Sequence, residues 1–195
     1  PSIIFIDEFD ALCRSRGGEG QLYHQQMLAS ILSEIDGFAQ KGKRDLVMTI
    51  GATNRPWDLD AAVLSRFERR ILIDLPNAEA RADIFRIHLE GKGIPVDHRS
   101  LSYSRLTADT ERLTGREIAR LCKEVTASML GEMNPDIPTL VDAGLKHIQN
   151  YEIKVRALRQ GDFAAPLERL VADTSEADEH HYAEWGKSLG KGKHA

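Results

Sequence analysis

Two adjacent carboxylates, Asp7 and Glu8, close the apolar run Ile3-Ile4-Phe5-Ile6 near the start of this 195-residue chain. An acid pair of this kind can do metal and water chemistry. Asp7 could hold Mg²⁺ through water, and Glu8, if ionised, could polarise an attacking water. The same letters also fit a strand that simply ends in a polar turn. Four β-prone residues in a row suit a strand covered on both faces. In open α/β sheets the carboxyl ends of strands are where ligands bind.

The elements needed to position such a pair follow in order. Met27, Leu28, Ile31, Leu32 and Ile35 recur at helical spacing, and Asp36-Gly37 is expected to stop that helix. A second strand-like run is Leu46-Val47-Met48-Thr49-Ile50, and a third is Ile71-Leu72-Ile73-Asp74-Leu75 before Pro76-Asn77. Residues 3–75 therefore read as strand, loop, helix, strand, loop, strand, part of a parallel α/β layer. Beyond residue 77 the pattern turns helical. Residues 79–90 put Ile84, Phe85 and Leu89 inward, and a helix from about Thr114 carries Ile118, Leu121, Cys122, Val125 and Met129 on one face. The stretch from Asn134-Pro135 to about Gly161 gives no clear period. A further helix opens at Asp162-Phe163 with Phe163, Leu167, Leu170 and Val171 inward. The last has Tyr182, Trp185 and Leu189 on its face, with Ser175 and Asp178 as its cap. Tyr182 and Trp185 are expected to serve core packing.

Three segments in this order carry a resemblance. IIFIDE is similar to a Walker B strand, Gly51-Ala52-Thr53-Asn54-Arg55-Pro56 to a sensor 1 segment, and Ser65-Arg66-Phe67-Glu68-Arg69-Arg70 to an arginine-finger segment. The series resembles the second half of an AAA ATPase module of the AAA+ superfamily. SRFERRILIDLP is most similar to the branch containing katanin, spastin and the ESCRT-disassembly ATPases. The resemblance runs from Pro1 to about Leu189.

It implies an α/β fold: a partial parallel P-loop NTPase sheet, strands 3, 4 and 5 of a 5-1-4-3-2 order, followed by a small α-helical lid domain. The implied domains are 1–76 (the C-terminal half of the large α/β subdomain), 77–190 (the lid) and 191–195 (a flexible tail). ATP and Mg²⁺ are the implied cofactors. Asp7 matches the metal-holding and cofactor-binding position, and Glu8 the acid that aligns the lytic water. Asn54 matches sensor 1, whose amide can accept from the water and donate to a phosphate. Arg66 and Arg69 match fingers acting in trans across a homo-oligomeric, hexameric ring; such a finger is worth about 10³–10⁵ in rate in related phosphoryl-transfer systems. Without the family match, Asn54 would be a turn residue and SRFERR a solvated basic loop. Arg70 is assigned to packing or a salt bridge. Thr114-Gly115-Arg116 matches the place where the lid meets nucleotide, so Gly115 and Arg116 are cofactor-binding candidates. The branch usually has a small residue at the position of Arg116, which could sense phosphate or be a surface charge.

Departures from the pattern accompany the matches. Gln25-Gln26 stands where paired arginines usually help organise the intersubunit site, and Ser65 replaces a frequent Arg. No G-x-x-x-x-G-K-[ST] loop occurs in the sequence; Arg16-Gly17-Gly18-Glu19-Gly20 lacks that ending and falls where the family carries a pore-facing loop. The chain is therefore read as the C-terminal portion of a ring-forming ATPase that remodels, unfolds or disassembles a protein substrate. By itself it is expected to be inactive, with residues 1–75 unstable alone and about 77–190 folding as a bundle. The alternative is a degenerate, non-catalytic AAA-like partner that offers Arg66 and Arg69 to a neighbour. A DExx helicase core shares the acid pair but leaves GATNRP and the helical region unexplained.

Composition narrows the remaining classes. Charged residues make up 29% and hydrophobic ones 42%, the balance of a globular protein. The net charge of −4 gives no overall footprint for nucleic acid. Cys13 and Cys122 form neither metal-ligand spacing nor a disulfide framework, which suits a cytoplasmic location. No apolar run approaches the roughly 20 residues of a membrane span.

Overall fold

A computed structural model describes residues 1–13, 21–40, 47–137, 151–170 and 175–189. The glycine cluster at 16–20, Leu46, Val171 and the tail 191–195 lie outside the described residues. Two compact units form: Pro1–Leu72 with Ala177–Ala195, and Ile73–Glu176.

In the first unit, β1 (Ser2–Ile6) pairs in parallel with β2 (Val47–Gly51), Ser2 opposite Val47 and Ile6 opposite Gly51. Parallel strands need a crossover, which here contains α1 (Phe9–Cys13) and α2 (Gln21–Gln40). Helix α2 runs through Asp36-Gly37 instead of stopping there. A helical glycine costs only about 1 kcal/mol relative to alanine, so it weakens the helix without terminating it.

The two faces of the strand pair differ. Ile4, Ile6 and Thr49 line a shallow apolar hollow of about 260 Å³ with Ile31 and Ile35 of α2. On the other face Ile3 is 71% exposed, Phe5 62% and Met48 59%. The expectation of a strand covered on both faces is thus corrected: α2 covers one. The third expected strand forms no ladder either, and Ile71 and Ile73 are exposed; among the described residues the sheet has two strands. Among the described residues no strand pairs with 71–75.

The second unit closes on itself. It comprises α4 (Ala78–His88), α5 (Tyr103–Asp109), α6 (Gly115–Met133) and α7 (Ala164–Arg169), after α3 (Ala61–Leu64) of the first unit. Asn77 caps α4 by accepting from the Ala80 N–H at 2.8 Å. Thr114 caps α6 in a capping box with Glu117, as the S/T-x-x-E spacing allows. The α6 stripe Ile118, Leu121, Cys122, Val125 and Met129 is wholly buried. Phe85, Leu89, Leu158 and Phe163 join it, Phe85 and Phe163 meeting edge-on at 6.1 Å. In the unreadable stretch, the described residues are tied by an isolated parallel bridge between Val96 and Leu158. Arg156 also donates to Asp162 at 2.7 Å and to Glu132 at 2.8 Å.

The last helix, α8 (Glu176–Leu189), begins just after Ser175 and groups with the first unit. An alanine Cβ at Gly186 would come within 2.9 Å of Leu72 Cδ2, so the helix lies close to Leu72 because no side chain intervenes.

Candidate functional site

The carboxyl ends of β1 and β2 are laced together. The Ala52 N–H donates to Ile6 O at 2.8 Å, and the Phe9 N–H donates back to Ala52 O at 2.9 Å. These bonds continue the parallel ladder past the strand ends and bring Asp7-Glu8 and Asn54 to one edge of the sheet. Phe9 is buried and meets Phe67 edge-on at 5.4 Å. Gly51 lies beneath that pair: a Cβ there would approach Phe67 Cζ at 3.2 Å. Small residue and aromatic pair together fix where the edge turns.

The acids occupy the turn itself. The Glu8 N–H donates to Asp7 Oδ1 at 2.8 Å. Glu8 has φ +49°, a left-handed backbone that is uncommon for a non-glycine residue. Such conformations cost roughly 1–3 kcal/mol and persist when their surroundings over-determine them. Here the Ala52 bond to Ile6 O holds the preceding flank, and the Phe9 bond to Ala52 O with the Ala11 N–H donating to Glu8 O at 2.8 Å holds the following one. The side chains of Asp7, Glu8 and Asn54 are all exposed.

The loop bearing Asn54 is tied in turn. Thr53 Oγ1 donates to Asp10 Oδ1 at 2.8 Å, and the Arg55 N–H donates to Thr53 Oγ1 at 3.0 Å. Pro56 is buried, and Trp57 meets the rings of His181 and Tyr182 from α8 at 4.9 and 5.1 Å. Tyr182 O–H donates to the Asn54 carbonyl at 2.5 Å. Asp10, Thr53, Trp57 and Tyr182 are therefore neighbours of the candidate site that sequence reasoning missed. A Thr two residues before Arg55 is a legible turn signal. Nothing in the sequence signals the Asn54–Tyr182 contact across 128 positions.

The arginines follow α3, whose N-cap Asp60 accepts from the Val63 N–H at 2.7 Å. Arg66 Nη1 donates to Ala62 O and to Ser65 Oγ, each at 3.0 Å. Arg70 donates to Leu64 O at 3.0 Å, a packing role. Arg69 is exposed. Gly115 and Arg116 belong to the other unit, at the first turn of α6; Gly115 lies near Ile84 and Arg116 is exposed.

Two carboxylates and a carboxamide at a strand edge are hard oxygen donors, the chemistry a Mg²⁺–phosphate group requires. Among the described residues, no group of three or more His, Cys, Asp or Glu side chains could hold a metal. Any cation here must complete its shell with phosphate oxygens and water, as Mg²⁺ commonly does. The cysteines take no part. Burial pushes the Cys13 thiol up to about 11 and Cys122 up to about 12, so both are thiols at neutral pH.

A parallel βαβ edge with paired acids, a following Asn and a downstream arginine loop is the arrangement that the resemblance to an AAA module implies. Residues 1–75 match the family model described as "ATPase family associated with various cellular activities (AAA)". Its relatives narrow this to the katanin and spastin branch. The chain is 34% identical over 191 residues to spastin of Xenopus tropicalis, covering 97% of this chain. It is 32% identical to human spastin over the same length. A crystal structure of the FIGL-1 AAA domain in complex with ADP superposes with TM-score 0.75 at 27% identity, over 98% of this chain. A katanin structure, solved to explain katanin self-assembly, gives TM-score 0.71 at 30% identity. The chain spans 30% of the Xenopus spastin and 59% of the FIGL-1 chain.

Proposed function

We propose that this chain is the C-terminal portion of a ring-forming AAA ATPase that couples ATP hydrolysis to remodelling of a protein substrate. The observation that carries the reading is the laced strand edge, which sets Asp7-Glu8 and Asn54 on one rim under a strained Glu8 backbone. ATP with Mg²⁺ is the proposed cofactor. The cation would neutralise charge developing on the phosphates, with Asp7 holding it through water. Glu8 orients the attacking water and takes up its proton as the oxygen bonds to the γ-phosphorus and the bond to ADP breaks. Asn54 accepts from that water and donates to a γ-phosphate oxygen. Arg66 and Arg69 act on nucleotide held by the next subunit, because a planar fork of permanent charge grips phosphate oxygens. Gly115 and Arg116 are proposed to bind nucleotide.

The functional division we assign is 1–76 for the catalytic half, 77–190 for the lid and 191–195 for a tail. The self-contained core of Ile73–Glu176 supports the lid, while α8 packs within the first unit. A homo-hexameric ring in the cytoplasm fits the family and the katanin self-assembly structure. Among the described residues no helix is long and apolar enough to cross a membrane.

Glu8→Gln in the full-length protein tests the reading. ATP turnover should fall by about 10²–10⁴, the usual contribution of a general base, while nucleotide binding survives. A wild-type protein that binds no ATP would instead favour a non-catalytic partner lending Arg66 and Arg69 to another subunit.

A further inference from the structure

We propose that Tyr182 is a positioning residue for Asn54, its hydroxyl anchoring the main chain of the loop that presents the Asn54 amide. This rests on the ATPase reading above and deepens it.

Asn54 has a demanding task in that reading. A carboxamide that accepts from water with one end and donates to phosphate with the other must keep its plane and its height above the strand edge. Yet Asn54 lies three residues past β2, beyond the last ladder bond, and its side chain is exposed. Its loop has to be held from outside the sheet. From the strand side, Asp10 holds Thr53, and Thr53 holds the Arg55 N–H. From the opposite end of the sequence, α8 supplies the Tyr182 bond to the Asn54 carbonyl itself, one peptide unit from the functional amide.

That bond is braced on both sides. Trp57 packs on Tyr182 and on His181, so the ring carrying the hydroxyl is fixed by a second ring three residues after Asn54. One turn on, Gly186 lets α8 approach Leu72 without a side chain between them. Burial, with Asp178 and Asp10 nearby, raises the phenol above its ordinary value despite the opposing charge of Arg55. The hydroxyl therefore stays a donor through neutral and mildly alkaline pH. Removing it leaves a neutral carbonyl to water and frees the loop to reorient.

The test is a double-mutant cycle in the full-length protein, reading kcat and KM for ATP separately. Tyr182→Phe keeps the ring and its packing and deletes only the donor. It should lower kcat about 2- to 10-fold, the factor equivalent to one neutral hydrogen bond, with KM unchanged. In an Asn54→Ala background the same change should alter kcat less than about twofold, because residues acting through one another are non-additive. Equal factors in both backgrounds would assign Tyr182 to packing alone and overturn the proposal. So would an unchanged kcat in Tyr182→Phe when Asn54→Ala is slow, which leaves the ATPase reading standing. A wild type without ATP turnover removes the ATPase reading and this assignment together. Amide exchange at residues 53–55 and 57 supplies a readout independent of turnover. It should quicken in Tyr182→Phe while α6 keeps its protection; unaltered exchange there would also overturn the anchoring.

Discussion

The two units of this molecule bury their apolar residues to very different degrees. In the helical unit Phe85, Leu89, Ile118, Leu121, Val125, Leu158 and Phe163 are all at 0% exposure. In the strand unit Phe5 is 62% exposed and Ile3 71%. The sequences are equally apolar at these points, so hydrophobicity does not separate them. Geometry does. A helix satisfies its own backbone and needs only a partner for one stripe, which α4, α6 and the 160–163 turn provide within about 80 residues of chain. A parallel strand needs neighbours along both edges and cover on both faces. One helix and one partner strand leave half of that unmet. An exposed apolar edge of this kind is a site for pairing with other chains.

This contrast gives measurable consequences. The largest should come from the same substitution made in each unit. Phe85→Ala should destabilise the helical unit by about 3–5 kcal/mol, the usual cost of emptying a well-packed aromatic site. Phe5→Ala should cost well under that, because much of the Phe5 ring is already in water. Denaturant unfolding followed at each unit separates the two, and equal losses would break the comparison.

A smaller effect is expected at the start of α6. Thr114→Ala removes the cap and one half of the box around buried Glu117. It should cost about 0.5–2 kcal/mol in the midpoint transition of the helical unit. A cost confined to the strand unit would show that the units do not unfold by separate cores.

The smallest effect at neutral pH concerns Asp162. Hydrogen bonding from Arg156 holds its carboxyl below the ordinary 3.8. A lowered folded value means the contribution is fully present above about 3.8 and is lost as pH falls through the lower folded value. Asp162→Asn should therefore flatten the acid limb of the thermal transition of the helical unit, while changing the neutral midpoint less than Phe85→Ala. An acid limb of unchanged slope would assign it to other carboxylates.

Much of the fold was legible because the signals are local. The 3.6-residue stripe from Ile118 to Met129 sits within one helix that begins near Thr114, and the structure contains it. The acid pair after Ile6 and the Asn54 loop after Ile50 were legible as strand ends. Gly37 misled because a break signal is a weak preference that continuing hydrogen bonds override.

What the residues could not declare is everything that depends on a distant partner. The run Ile71–Leu75 has strand-like letters but no ladder, since pairing is a property of two segments. Tyr182 was legible only as an aromatic on a helical face; its donation to the Asn54 carbonyl arises because α8 packs with the first unit. The left-handed backbone of Glu8 is likewise held by the bonds of Ile6 and Phe9 to the distant Ala52 on either side. Sequence alone determined where β1, β2, α4 and α6 form and which residue types stand at the strand edge, through short-range periodicity. Tertiary structure alone decided how that edge is held, because hydrogen bonds such as Thr53 to Asp10 and Tyr182 to Asn54, 43 and 128 positions apart, leave no periodic trace in the chain.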